Sequence, residues 1–219
     1  MITFNDVKND ASIRTYIIKA DESLRALGYT EHSFAHVTKV SETASYILEK
    51  LSYPEREIEL TRIAAFLHDI GNLVNRCDHS QSGAVMAFRI LDHLGMPADE
   101  LAQVVSAIGN HDEGTGVAVN PISAALILAD KSDVRRSRVR NTDMSTFDIH
   151  DRVNYSVENS ELTINPENTE ITLRLTINTS ISSVMDYFEI FLGRMKMCRN
   201  AAKKLGLVFR LIINGQQLD

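Results

Sequence analysis

The chain has 219 residues, of which 44% are hydrophobic and 24% are charged, and its formal net charge is −6. These values are typical of an ordinary soluble globular protein with one large domain, or with one domain and a small appendage. The acidic balance argues against a general nucleic-acid-binding protein, because such proteins usually carry a surplus of basic residues.

Three further features predict where the protein resides. No apolar run approaches the roughly 20 residues of a membrane span, and the N-terminus MITFNDVKND lacks the basic and apolar regions of a signal peptide. The cysteines, Cys77 and Cys198, lie in different regions and are expected to be free thiols in a reducing compartment. We therefore expect a cytoplasmic protein that does not associate with membranes, and the sequence leaves a homodimer open.

Apolar residues at spacings of three and four predict helices through the first 145 residues or so. The wholly apolar run Ile63–Leu67 predicts that the third of these helices is buried on all sides. The predicted helices run from Ala11 to Gly28, from Thr30 to Leu51, from Pro54 to near Gly71, from about Asp78 to Gly95, from Pro97 to Asn110 and from Pro121 to Arg140.

The composition changes near Asn141. FDIHDRVNYSV predicts a short helix, and ELTINP and EITLRLTIN alternate as strands do, with a turn at Asn165–Asn168 between them. A long amphipathic helix then ends at Gly206, and LVFRLIING predicts a last strand. We therefore predict an α+β fold, in which a helical bundle domain (residues 1–145) precedes a small β-β-α-β subdomain (within residues 146–219).

Residue types that bind metals recur along about a hundred residues of the helical part. Imidazole and carboxylate groups suit a divalent or ferric hydrolytic metal. Most of these residues adjoin apolar helical stretches, where an unpaired charge would be costly. The pattern therefore favours metal chemistry. The candidate ligands are His36, His68, Asp69, His79, His111 and Asp130.

An adjacent histidine–aspartate pair occurs twice, as His68-Asp69 and as His111-Asp112. The first pair ends a buried helix and leaves room for two or three helices before Asp130. The second pair leaves too short a segment to bring a separate helix back around a metal. We therefore assign the paired role to His68-Asp69, keep His111 as a ligand, and expect Asp112 to lie in a loop beside the site.

The ordered set His36, His68-Asp69 and Asp130 resembles the HD-domain superfamily of metal-dependent phosphohydrolases. The resemblance covers roughly residues 30 to 140. It implies an all-α bundle in which these four side chains hold one metal.

The additional histidines, His79 and His111, are similar to those of the two-metal branches of that superfamily. These branches include symmetrical dinucleoside tetraphosphate hydrolases and cyclic-dinucleotide phosphodiesterases. The resemblance implies a second ion held by His79 and His111 and bridged to the first by Asp69. The nitrogen and oxygen ligands do not distinguish manganese, iron, cobalt, nickel, magnesium and zinc.

One position departs from the pattern of that superfamily. Several branches carry a lysine three residues after the aspartate of the pair, and this chain has Asn72 there. Asparagine cannot supply a positive charge. The basic run KSDVRRSRVR after Asp130 offers a replacement, since Lys131, Arg135 and Arg138 would share one side of a helix. We predict Asp69, Lys131 and Arg135 as catalytic residues, although the run equally fits a solvated helix end.

These patterns predict hydrolysis of a phosphate ester or anhydride of a small molecule, a nucleotide in particular, by a metal-activated hydroxide. Two alternatives stay open. One is a di-iron oxygenase of similar fold, and the other is a non-catalytic nucleotide-sensing module.

Overall fold

In the computed structural model, which describes residues 1–218, helices occupy most of the chain up to Ser156 and the described strands begin at Val157. No helix of these residues combines the length and the hydropathy of a membrane span. Short 3-10 helices lie at Ile70–Leu73, Arg136–Arg138 and Met144–Thr146. The α-helices are α1 (Phe4–Asn9), α2 (Ala11–Ala26), α3 (Phe34–Lys50), α4 (Glu55–Leu67), α5 (His79–His93), α6 (Ala98–Gly109), α7 (Pro121–Ser132), α8 (Ile149–Ser156) and α9 (Val184–Lys204).

Helix α7 lies at the centre of the helical bundle and packs against α3, α4, α6 and α9. Its residues from Ile122 to Ala129 are all buried, as its apolar composition requires. In helix α4 every residue of the run Ile63–Leu67 is buried, but Glu55 is exposed and Arg62 is only partly buried. The prediction that this helix is buried on all sides therefore holds for its C-terminal part and not for its first two turns.

The C-terminal part forms a four-stranded sheet in the order β1 (Val157–Ile164), β2 (Glu170–Ile177), β3 (Val208–Ile213) and β4 (Gln216–Gln217). Strands β1 and β2 pair antiparallel, and β2 and β3 pair parallel with α9 as the connection between them. Alternate residues of β2, from Ile171 to Ile177, are buried. The α+β class, with a helical bundle followed by a β-β-α-β unit, is confirmed, and the short β4 extends that unit.

The turn between β1 and β2 follows the sequence prediction. Asn168 takes a left-handed backbone conformation with φ 55°, which asparagine tolerates better than most residues. The side-chain oxygen of Asn165 accepts hydrogen bonds from the backbone amides of Thr169 and Glu170, each at 2.9 Å. These bonds close the hairpin.

Several of the observed helices differ from those predicted. Helix α1 precedes the first predicted helix, and α3 begins after the N-cap Ser33 and not at Thr30. The largest difference is at α7, which ends at Ser132 and does not continue to Arg140. Asp133 leaves the helical conformation, with φ −80° and ψ 70°, and its buried carboxylate accepts a hydrogen bond from His36 of α3.

Buried apolar residues of the helical bundle and of the C-terminal unit belong to one contiguous core. Helix α9 joins them, since it packs against α7 on one side and against β3 on the other. The predicted division into residues 1–145 and 146–219 stays a prediction.

Candidate metal centre

The fold brings all six predicted ligands to one place, although they come from separate elements. His36 lies in the first turn of α3, and His68 and Asp69 lie between the end of α4 and the following 3-10 helix. His36 Nε2 is 3.3 Å from Asp130 Oδ1 and 3.6 Å from Asp69 Oδ2. His68 Nε2 is 3.3 Å from Asp69 Oδ2 and 3.7 Å from Asp130 Oδ1. These four side chains surround one point.

A second group adjoins the first on the other side of Asp69. His79 is the first residue of α5, and His111 follows α6. Their Nε2 atoms are 3.1 Å apart and lie 3.5 Å and 4.0 Å from Asp69 Oδ1. The two oxygens of Asp69 therefore face two different sets of histidines.

Every histidine of the two groups is oriented by a hydrogen bond at its other ring nitrogen. His36 Nδ1 donates to Asp133 Oδ2 at 2.7 Å, and His68 Nδ1 donates to the carbonyl of Ala65 at 2.7 Å. His79 and His111 donate in the same way to the carbonyls of Arg76 at 3.1 Å and Ile108 at 2.6 Å. Because these oxygens can only accept, Nδ1 carries the hydrogen and each Nε2 presents a lone pair to the cluster.

This arrangement leaves buried polar atoms without a protein partner. His36 Nε2, His68 Nε2 and Asp69 Oδ2 are buried and lack a hydrogen bond. An unsatisfied buried polar atom costs on the order of 1–3 kcal/mol. A metal with nitrogen and oxygen ligands at about 2.0–2.2 Å would bind these atoms with little rearrangement. The residues present therefore fit a metal centre.

The contact between His79 and His111 leads to the same conclusion. Two nitrogen lone pairs at 3.1 Å repel each other unless a cation lies between them. Burial holds the pKa of His111 well below its usual range and also lowers the pKa of His79, so a shared proton is disfavoured. A metal ion would satisfy both nitrogens.

The carboxylates give the cluster its negative charge. Burial raises the pKa of Asp69 and of Asp130, but His68 beside Asp69 and Lys131 beside Asp130 hold both pKa values well below their usual range. Burial lowers the pKa of His68, yet the neighbouring carboxylates of Asp69 and Asp130 raise it to about 10. Without a metal, the site therefore attracts a proton at His68, and a metal would take its place.

The two predicted cations next to Asp130 differ in their surroundings. Lys131 is buried, and its Nζ lies 2.8 Å from Asp130 Oδ2 and 3.3 Å from Glu113 Oε2. Arg135 Nε instead donates to Asp133 Oδ1 at 2.9 Å, and its Nη2 lies 3.2 Å from Glu31 Oε2. The expectation that Lys131, Arg135 and Arg138 share one side of a helix is wrong, because α7 ends at Ser132.

Sequence reasoning did not identify Arg76, which lies at the cluster. Asn72 Nδ2 donates to Asp69 Oδ1 at 2.9 Å, and Arg76 Nη1 donates to Asn72 Oδ1 at 3.2 Å. Arg76 Nη1 also lies 3.4 Å from His79 Nε2. Within residues 1–218, Arg76 forms no ion pair with a carboxylate. In the sequence, only the position of Arg76 between Asn72 and the predicted ligand His79 could have indicated that it lies at the cluster.

Asp133 and Asp112 also border the cluster. Asp133 is buried and orients His36, a role that its place three residues after Asp130 could have suggested. Asp112 Oδ1 lies 4.0 Å from His79 Nε2, in the loop after α6. This agrees with the expected place of Asp112 beside the site.

Residues 33–139 match the HD domain family. This segment is an HD domain. It contains all six clustered residues, His36, His68, Asp69, His79, His111 and Asp130. HD domains bind divalent metals and occur in metal-dependent hydrolases, in agreement with the donor set described above.

Two proteins are similar to the chain that contains this HD domain. An uncharacterized protein of Methanocaldococcus jannaschii is 28% identical over 160 residues, which are 62% of this chain and 61% of that protein. The chain thus spans less than two thirds of the length of that relative. The crystal structure of a predicted HD superfamily hydrolase from an uncultured Thermotogales bacterium is 24% identical, with a TM-score of 0.42. That match covers 62% of this chain and 75% of the other.

Proposed function

We propose that the protein is a metal-dependent phosphohydrolase that cleaves a phosphate ester or anhydride of a small molecule, with nucleotides as the first class to test. The observation that carries the proposal is the buried cluster of four histidine Nε2 atoms around the two oxygens of Asp69. Its lone pairs converge, and His36 Nε2, His68 Nε2 and Asp69 Oδ2 have no protein partner. The HD domain supports the same class of chemistry.

In this proposal, His36, His68, Asp69 and Asp130 would hold one ion. Asp69, His79 and His111 would hold a second. When bound, such ions polarise a phosphoryl oxygen and lower the pKa of a coordinated water.

The surrounding side chains support this chemistry. The hydrogen bonds at Nδ1 fix the ring orientations, so that the Nε2 lone pairs do not have to reorganise when a ligand arrives. Lys131 Nζ lies 2.8 Å from Asp130 Oδ2, whereas His36 and His68 approach the other oxygen of this carboxylate. Arg76 has a guanidinium without a carboxylate partner in the described chain, and it would offset the charge of a phosphate at the cluster. Arg76 is thus a further candidate for the positive charge that Asn72 cannot supply. The catalytic roles of Lys131 and Arg135 stay predictions.

Covalent catalysis by a cysteine has no support in the structure. Burial raises the pKa of Cys198 to about 12, and a hydrogen bond with Asp78 raises the pKa of the exposed Cys77. Neither thiol is therefore activated as a thiolate near neutral pH.

Phosphate release measured over a panel of nucleotides and simple phosphate esters tests the proposal. The protein is first stripped of metal and then reconstituted separately with manganese, iron, cobalt, nickel, magnesium or zinc. We expect metal-dependent release by the wild-type protein and none by Asp69→Ala. Oxygen uptake with iron and no phosphate release would contradict the proposal and favour the di-iron oxygenase. Nucleotide binding without any turnover would favour the sensing module.

A further inference from the structure

A cavity of about 420 Å³ lies beside the metal cluster, and the segment that follows the HD domain forms one of its walls. The bundle and the C-terminal segment both line it. The lining residues used below are Tyr29, His32, Arg76, Asp148, Asp151 and Arg194.

Two lining residues connect the cavity to the cluster. Arg76 Nη1 is 3.4 Å from His79 Nε2. The ring of His32 is 5.4 Å, centroid to centroid, from the ring of His36. A small molecule in the cavity would therefore lie next to two residues that contact the cluster.

Arg194 of α9 is held at the cavity by contacts that leave part of its guanidinium unused. Its Nε lies 2.5 Å from Glu113 Oε1, and its guanidinium lies 4.4 Å from the centroid of the Phe191 ring. Glu113 in turn lies 3.3 Å from Lys131 Nζ, which connects Arg194 to the ligand Asp130. For the terminal nitrogens of Arg194, residues 1–218 provide no hydrogen-bond partner. They are therefore available for an anion.

Arg76, which precedes α5, provides a second cation at the cavity. It lies 5.8 Å from the centroid of the Tyr29 ring and has no carboxylate partner in the described part of the chain. Two arginines from different parts of the chain thus line one cavity, and each can donate to the oxygens of a phosphate group.

The part of the cavity wall that belongs to helix α8 carries acidic side chains. Asp148 is the N-cap of α8, and its Oδ1 accepts a hydrogen bond of 2.8 Å from the backbone amide of Asp151. Both carboxylates line the cavity. Ionised carboxylates are hydrogen-bond acceptors only, so they suit a ligand whose organic part carries hydroxyl donors.

We propose that this cavity binds a phosphate monoester with a hydroxylated organic part. The phosphate lies between Arg76 and Arg194, and the hydroxyl groups face Asp148 and Asp151. The inference rests on the proposed function and adds that a segment outside the HD match completes the substrate pocket. A volume of about 420 Å³ is within the range of small-ligand sites and suits a molecule the size of a sugar phosphate or a mononucleotide.

Binding by the metal-loaded full-length protein tests the site directly. Ribose 5-phosphate, adenosine 5′-monophosphate and methyl phosphate are titrated calorimetrically. We expect both hydroxylated esters to bind more tightly than methyl phosphate. Arg76→Ala and Arg194→Ala should each weaken binding of the tighter ester about 10- to 150-fold, as expected for the loss of a charge-assisted contact. The control is Arg199→Ala, which removes an exposed arginine of the same helix α9 and should bind like the wild type.

Two more variants separate recognition from folding. Arg194→Lys keeps a charge opposite Glu113 but loses the forked donors, so its affinity should lie between those of Arg194→Ala and the wild type. Asp148→Asn keeps a good N-cap residue for α8 and should reduce the preference for ribose 5-phosphate over methyl phosphate. An unchanged preference would overturn the assignment of the hydroxyl-binding wall.

The failures of the two proposals are distinguishable. If the wild type releases phosphate and Arg76→Ala and Arg194→Ala show unchanged KM and affinity, the cavity assignment is overturned and the proposed function stands. If binding depends on both arginines but no metal supports phosphate release, the phosphohydrolase proposal fails and the site stands.

Discussion

At the residue scale, the function of the site depends on which ring nitrogen of each histidine carries a hydrogen. His36 is the member of the cluster whose Nδ1 donates to a carboxylate and not to a backbone carbonyl. A carboxylate in this position orients the ring and raises the basicity of the ligand nitrogen. We therefore expect Asp133 to contribute to metal affinity, although its own carboxylate does not face the cluster.

Replacing Asp133 by asparagine tests this contribution. Asp133→Asn keeps the size of the side chain but removes the charge opposite His36. We expect metal affinity to fall about 10- to 100-fold while the far-ultraviolet circular dichroism stays unchanged. Competition with a chromogenic chelator measures the affinity. Asp99→Asn, at an exposed position of α6, is the control. Equal affinities for Asp133→Asn and the wild type would show that the carboxylate has no such role.

Glu113 contributes to stability in a pH-dependent way. Burial raises its pKa, but Lys131 and Arg194 lower it from the ordinary 4.5 to about 2. A carboxyl group with a lowered pKa stabilises the folded state above its unfolded pKa and loses that effect as the pH falls to its folded pKa. The stabilisation is thus fully present above pH 4.5 and is lost between pH 4.5 and about 2.

We therefore expect Glu113→Gln to be less stable than the wild type at pH 7, with a difference that narrows as the pH falls from 4.5 toward 2. Urea unfolding of the metal-free protein at several pH values measures both free energies of unfolding. A difference that is constant with pH would contradict the ion-pair account. Every sample contains a chelator, so that the release of metal at low pH does not contribute to the difference in the free energy of unfolding.

At the element scale, the second pair of histidines depends on a close approach between two backbones. A Cβ atom on Gly71 would lie 2.0 Å from the carbonyl oxygen of His79 and 2.4 Å from the amide nitrogen of Gly83. The 3-10 helix after Asp69 can therefore contact the first turn of α5 only where residue 71 lacks a side chain. This contact sets the distance between Asp69 and His79.

Gly71→Ala should separate these elements. We expect a loss of about 1–3 kcal/mol of stability, as for other overpacked sites, and a weaker second metal site. The control is Gly193→Ala in α9, where no atom lies within 4 Å of the added Cβ. That variant should be more stable by roughly 0.5–1 kcal/mol, because alanine favours a helix interior more than glycine does. Thermal unfolding and metal titration measure both, and a neutral Gly71→Ala would contradict the packing argument.

The sequence predicted the type of an element correctly where one pattern of apolar residues extends over several positions. The apolar run Ile63–Leu67 and the alternation of β2 each indicated the correct element and the correct burial. It failed at the end of α7, because Asp133 leaves the helix to bind His36 from a distant part of the chain. Local propensity does not contain that contact.

The same limit applies to the site. The residue types and their order predicted the six residues that the fold brings together. Arg76, Asp133 and Arg194 were not predicted, because their roles depend on contacts across elements. Arg194 illustrates this limit, since it follows the HD domain by more than fifty residues and reaches the cavity only through the packing of α9 against α7.

At the scale of the whole molecule, the cluster connects most of the helical bundle. Its ligands come from α3, the end of α4, α5, the loop after α6, and α7. Bound metal would therefore stabilise the arrangement of the whole bundle, because it binds the folded state and not the unfolded chain.

Removal of metal should lower the unfolding temperature of the entire helical bundle. At a free metal concentration about 100 times Kd, one site contributes about 2.7 kcal/mol. We expect a chelator to lower the Tm of the wild type and to leave that of Asp69→Ala unchanged. Differential scanning calorimetry measures both, and an equal shift in the two proteins would indicate an effect of the chelator elsewhere.

The metal content of the purified and reconstituted protein tests the central claim most directly. Elemental analysis against protein concentration should give about two tightly bound ions per wild-type chain, since each of the two groups on either side of Asp69 would hold one. Asp69→Ala, which removes the carboxylate shared by both groups, should retain neither. A folded Asp69→Ala protein with the full metal content of the wild type would contradict the account.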